Sequence, residues 1–284
     1  VLAECLEDRG RFLDAIVNTA WAIAEESSWT IPAHQTSQKA KGGLPDVDEP
    51  IVDLFSAQTA HSVAWTLYLL GDRLDRVSPL VRTRLAHEVD RRVLTPFMER
   101  DDFWWLGFGT RTDRPNNWNP WINSNVMAAA LLLEPNASRR IDIVHKALRS
   151  LDRFLAPYPK DGSCDEGPAY WTRAGASLFE TLELLQSAAR GDDLRMFEDP
   201  VIANMGKFVY RSRIAGTWVV DVGDSDPKVG LDRSLAWRFG VAIKDPLLRA
   251  FGASGATDAD AVITDRSIGR SLFTIFSWAA LMKE

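Results

Sequence analysis

Cysteine and long apolar runs are scarce in this sequence, and basic residues are outnumbered by acidic ones. Two cysteines, Cys5 and Cys164, cannot build a disulfide framework, and no CxxC or Cys/His cluster has zinc-binding spacing. No metal and no cofactor is expected. No apolar run approaches the roughly 18–20 residues of a spanning helix, so no membrane span is expected. Basic residues number 33 against 39 acidic ones, giving a net charge of −6. That balance argues against a nucleic-acid partner. It leaves room for an acidic ligand, because a small site can be locally basic. The chain opens at Val1 with no methionine, charged n-region or apolar h-region. A mature form or an excised piece is expected, and its localisation cannot be read. Strand signal is nearly missing too, with Thr217–Val222 (TWVVDV) the one convincing run.

What remains is helix. The 284 residues suffice for one large core or two small domains, and a single domain over 1–284 is the expectation. Apolar positions recur at helical spacing over 6–26, 51–70, 138–156 and 171–190, and 121–134 reads as a buried helix. Less regular helices are expected over 200–212, 232–251 and 268–283. Gly71 is expected to close the second helix. Ser78-Pro79 should open a third, which stops before Pro96. The pattern predicts an all-α fold.

Connection lengths alternate. Those at 72–77, 135–137 and 191–199 are short, and those around 30–50, 99–120, 157–170 and 213–231 are long. If successive helices run up and down, the long ones share one end. The expected architecture is an incomplete (α/α) toroid of helical hairpins with its working face there.

Chemistry-bearing residues collect in the long connections. Residues 114–125 (RPNNWNPWINSN) hold five Asn and two Trp. Asn-rich stretches form turns, but a solvated turn has no use for Trp118 and Trp121. An amide offers a neutral donor and acceptor together, suited to sugar hydroxyls or to a carboxylate bound without a counter-charge. Residues 157–171 (PYPKDGSCDEGPAYW) bring Asp165 and Glu166 ahead of Tyr170 and Trp171. Acidic residues there also suit a helix N-terminus. The composition points to carbohydrate as well, with eleven Trp against four Tyr, since a flat ring stacks on a sugar face. Among the histidines, His61 and His145 read as core or surface residues and His87 as solvated. His34, after Trp29 and Pro32, is the one placed at the mouth.

Together, NNW (116–118) and DGSCDEGPAYW (161–171) resemble the paired motifs of heparinase II/III-type polysaccharide lyases and related alginate lyases. Val220–Ser225 (VDVGDS) is similar to the family's late Gly-Asp motif. The resemblance implies β-elimination from a uronate polymer: removal of the C5 proton and expulsion of the 4-O-linked sugar. Asn116, with Asn119, would hydrogen-bond the substrate carboxylate and stabilise the enediolate-like state. Tyr170 would act as base and acid, positioned by the Glu166 loop. A nearby cation, Arg114 or Arg173, would favour its phenolate. Asn117, Trp118, Trp121, Trp171, Trp105 and His34 would bind substrate, with Trp104 a further subsite candidate. The partner would be an acidic polysaccharide or oligosaccharide. The family also implies a following β-sandwich carrying another catalytic His or Tyr. This chain has no run of strands to match it, which puts the activity of the helical part alone in question. Two competing readings are a glycoside hydrolase using Asp165 or Glu166 as acid with Asp224 as base, and a non-catalytic carbohydrate-binding domain.

Overall fold

The computed structural model describes residues 1–41, 43–109, 114–254 and 267–284. Over these the chain is all-α, with one two-stranded sheet. Packing divides it into two compact units. Unit 1 is Val1–Thr112 with Ile122–Ser150, and unit 2 is Asp113–Trp121 with Leu151–Glu284. Among the described residues no helix is long and apolar enough to cross a membrane.

Unit 1 begins with α1 (Leu2–Glu7) and α2 (Leu13–Glu25), not the single helix expected over 6–26. Asp8 and Gly10 turn the chain at positive φ. Buried Glu4 then accepts the backbone N–H groups of Gly10 and Phe12 at 2.6 and 3.0 Å. Helix α3 (Leu54–Val77) starts with a reciprocal cap: Ser56 N–H donates to Asp53 Oδ1, and Asp53 N–H donates to the Ser56 hydroxyl. Gly71 does not end it. A Cβ at that position would stand 2.6 Å from the Arg82 guanidinium carbon, so the glycine admits a neighbouring side chain instead of stopping the helix. Helix α4 (Pro79–Val89) opens at Ser78-Pro79 as expected. Its last turns widen into a π-type turn over Asp90–Leu94, and the chain passes Pro96 into α5 (Thr95–Glu99). Proline is tolerated there because it lies at the start of a new helical turn. The core of this unit includes Leu74, Leu85, Phe97, Trp105 and Leu106, each essentially inaccessible. Full burial of such side chains contributes about 1.5–3 kcal/mol each.

Helices α6 (Trp118–Leu133) and α7 (Ala137–Leu155) supply residues to both units. Unit 2 adds α8 (Gly175–Ala188), α9 (Pro200–Arg211), α10 (Arg233–Ala242), α11 (Pro246–Ala253) and α12 (Ile268–Leu281). The helix expected over 232–251 is therefore two, divided where Lys244 takes positive φ and Asp245 caps a helix beginning with Pro246. Strands β1 (Arg213–Ala215) and β2 (Trp218–Val219) form an antiparallel hairpin, shorter than the expected run to Val222. Phe179 and Phe239 stack at 4.5 Å in the core of the unit.

Candidate functional site

Three segments distant in sequence meet within unit 2. Gly167 adopts φ +91°, and a Cβ there would lie 2.2 Å from the Val222 carbonyl oxygen. Gly223 adopts φ +61°, with a Cβ position 2.8 Å from the Asp165 carbonyl oxygen. Only glycine allows two backbones this near in those conformations. The contact is sewn by hydrogen bonds: Asp224 N–H donates to the Glu166 carbonyl (3.2 Å), and Ala169 N–H donates to the Ser225 hydroxyl (3.0 Å).

The third segment is the Asn-rich one. Asn116 Oδ1 accepts the Trp118 N–H at 3.1 Å, and its carbonyl accepts the Asn119 N–H. Asn116 thus begins α6 as its cap, which is why an Asn run precedes this helix. Because the acceptor must be oxygen, the cap also fixes the amide so that Nδ2 points away from the bond. That amide nitrogen has no acceptor among the described residues. Asn117, by contrast, is buried and spent. Its backbone N–H and Nδ2 both donate to Glu166 Oε1, at 3.5 and 2.5 Å.

Burial raises the Glu166 carboxyl above its ordinary value. The two Asn117 donors oppose this, and the negative charges of Asp165 and Asp224 add to it. An acid whose folded pKa is raised stabilises the fold fully below its unfolded pKa and loses that contribution as pH rises through the folded value. Glu166→Gln keeps an oxygen for Asn117 but cannot titrate. Wild-type stability is therefore expected to fall relative to Glu166→Gln as pH rises through the range just above the usual carboxylate value. Parallel melting curves across pH check this, and a constant difference would overturn it.

A second bracket lies beside the first. The Arg114 guanidinium pairs with Asp165, reaches the Pro157 carbonyl at 3.4 Å, and stands 5.9 Å over the Tyr158 ring. Tyr158 and Cys164 are both buried beneath these loops, and desolvation pushes the thiol up to about 12. Cys164 is thereby kept as an inert thiol. Arg173 lies 3.8 Å over the Trp121 ring, with both residues partly exposed. Tyr170 sits in a 3-10 turn over Pro168–Thr172, half-buried, and its hydroxyl makes no hydrogen bond among the described residues.

Several expected site residues take other places. Trp171 is 1% exposed, donates from Nε1 to the Met205 carbonyl at 2.7 Å and stacks on Phe239, so it is core. Trp105 is equally buried in unit 1, where Nε1 donates to the Val52 carbonyl and Phe97 and Phe103 stack against it. Neither ring offers a face to a sugar. Asn119 is fully buried as well. Glu166 holds Asn117 and not Tyr170. His34 belongs to unit 1, where Nδ1 lies 2.7 Å from Asp53 Oδ2, the carboxylate that caps α3. His61 is buried and accepts from Trp65 Nε1, while His87 and His145 are exposed. Trp104 is 40% exposed in unit 1.

The sequence reading passed over Trp218, which is half exposed on the hairpin with the Lys228 ammonium 4.4 Å over its ring. Its alternation with buried Val219 was the available signal. Among the described residues no group of three or more His, Cys, Asp or Glu could hold a metal ion. No protein-family model matches the chain, and no curated protein matches it either.

Proposed function

We propose that unit 2 carries a polysaccharide-lyase site that cleaves uronate-containing chains by β-elimination. The observation that carries this reading is the gathering of Asn116–Trp118, Glu166–Tyr170 and Gly223–Ser225 around Glu166. In this reading Asn116 Nδ2 donates to the substrate carboxylate and stabilises the charge that develops as the C5 proton leaves. Tyr170 takes that proton on its phenolate oxygen. The C5 electron pair forms the C4–C5 double bond, the C4–O bond breaks, and the leaving oxygen recovers the proton from Tyr170. One residue serving both steps requires syn geometry. A neighbouring cation favours negative charge on the Tyr170 oxygen. Arg173, three residues on and stacked on Trp121, is the nearest in sequence. Partly exposed Trp118 and Trp121 offer stacking surfaces at the same helix start.

One observation favours a hydrolase instead. Glu166 is a carboxyl of raised pKa with the Asp224 charge close by, which is the pairing an acid/base glycosidase uses. Products separate the two. Incubated with uronate polymers such as alginate or heparan sulfate, the lyase is expected to generate a conjugated 4,5-unsaturated uronate that absorbs in the ultraviolet. New reducing ends without that absorbance would overturn the lyase in favour of hydrolysis. Binding with no cleavage would leave a carbohydrate-binding domain.

A further inference from the structure

The turn that carries Tyr170 is capped from a distant segment. Pro168–Thr172 forms a 3-10 turn entered through Gly167, which makes no side-chain cap. A helical turn opens with N–H groups that its own carbonyls cannot accept, and the residue before it usually takes one with a side-chain oxygen. Gly167 has no side chain to offer. Its φ of +91° and a Cβ position 2.2 Å from the Val222 carbonyl oxygen keep a larger residue out. Pro168 has no N–H, so Ala169 presents the first unmatched donor. Ser225, 56 positions further on, accepts it at 3.0 Å.

That serine is itself fixed. It is buried, its N–H donates to the Val222 carbonyl at 3.3 Å, and its hydroxyl donates to the Asp226 carbonyl at 3.1 Å. One oxygen thus accepts from the Tyr170 turn and donates to its own loop. Tyr170 follows Ala169 directly. Its N–H donates to the Gly167 carbonyl at 3.2 Å, and its carbonyl accepts the N–H groups of Arg173 and Ala174, both at 2.9 Å. Its hydroxyl makes no hydrogen bond among the described residues, so the place of the phenol follows the backbone of the turn.

We propose that Ser225 is a positioning residue for Tyr170: its hydroxyl supplies the cap that Gly167 cannot, and so sets where the phenol stands. The inference rests on the lyase reading for what Tyr170 does, and on the geometry alone for where Tyr170 is held. Placement matters because a shift of about 1 Å in a reacting group can cost about 10²-fold in rate.

Ser225→Ala removes the acceptor and should lower kcat for eliminative cleavage by about 10- to 10²-fold, with KM held within about twofold. In a Tyr170→Phe background the same change should alter the residual rate by less than about twofold, because no phenol remains to be misplaced. A merely structural serine would lower both backgrounds alike, in step with the melting temperature. Ser225→Cys keeps a side chain of similar size with a weak acceptor, and should show a smaller loss in the same direction.

Placement is also read without turnover, by carbon-13 NMR of the full chain labelled at its four tyrosines. The Tyr170 ring signals are those missing from Tyr170→Phe. Ser225→Ala should shift or broaden them and leave in place those of Tyr68, which is exposed in unit 1. If the wild-type chain forms no unsaturated product, the lyase reading fails and the NMR comparison alone decides the role of Ser225. Unmoved Tyr170 signals, or equal rate losses in both backgrounds, would overturn it.

Discussion

Tyr170→Phe is expected to lower eliminative cleavage by about 10²-fold or more while glycan binding survives, the usual worth of a positioned proton-transfer group. The half-buried Tyr170 hydroxyl has no hydrogen-bond partner among the described residues, so removing one oxygen should leave the fold alone. Asn116 needs a finer substitution. Asn116→Ala also deletes the α6 cap, which costs about 1 kcal/mol, and a lowered rate would then have two causes. Asn116→Asp retains an oxygen for the Trp118 N–H and removes the amide donor. It also sets a negative charge where the substrate carboxylate would lie. Rate loss of about 10²-fold or more with an unchanged melting temperature is expected. The readout is the ultraviolet absorbance of the unsaturated product, with binding followed separately by calorimetry. Wild-type rates in Tyr170→Phe or Asn116→Asp would show that the residue is structural.

The largest expected effect on stability lies at Gly167. Gly167→Ala must hold a side chain at φ +91° and drive a methyl to within 2.2 Å of the Val222 carbonyl oxygen and 2.6 Å of Ser225 Cβ. Backbone strain of about 1–3 kcal/mol and a similar overpacking cost together give on the order of 3 kcal/mol or more. That is a large fraction of the roughly 5–15 kcal/mol that holds a domain together. Gly216→Ala isolates the conformational part, since Gly216 has φ +54° with nothing among the described residues within 4 Å of the Cβ position. It should cost only about 1–2 kcal/mol. Gly230→Ala, at ordinary φ with nothing among the described residues within 4 Å of the Cβ position, should be near neutral. Denaturant unfolding of the three variants checks the order. A Gly167→Ala effect no larger than that of Gly216→Ala would mean the 166–169 and 222–225 backbones do not pack as described. Slackening this contact should also cost turnover, because Glu166 holds Asn117 from the same loop.

Helix content was legible because periodicity and caps are local. Ser78-Pro79 opens α4 where the sequence places it, and Asn116 caps α6 at the head of the Asn-rich run. Interruptions were less legible. Gly71 reads as a stop by composition, yet its missing Cβ is used by Arg82 from the following helix. The break after α1 depends on a carboxylate, Glu4, folding back onto the N–H groups of residues six and eight positions on. Neither is visible in a one-dimensional pattern.

Tryptophan shows the division most plainly. Trp105, Trp121, Trp171 and Trp218 all sit near turns, and the sequence treats the first three alike. Tertiary packing buries Trp105 and Trp171 against phenylalanine rings and binds their indole nitrogens to backbone carbonyls. It leaves Trp121 under Arg173 and Trp218 beside Lys228 at the surface. Periodicity, caps and composition already showed which segments are helical, which residue types are concentrated between them, and that acidic residues outnumber basic ones. Spacing along the chain governs each of these. Folding consumes Asn117 in bonds to Glu166, while the Asn116 amide nitrogen meets no acceptor among the described residues. Folding likewise brings together the two glycines that clamp one loop onto another. Those outcomes depend on distances between residues far apart in sequence, where burial sets the cost of every unpaired or ionised group.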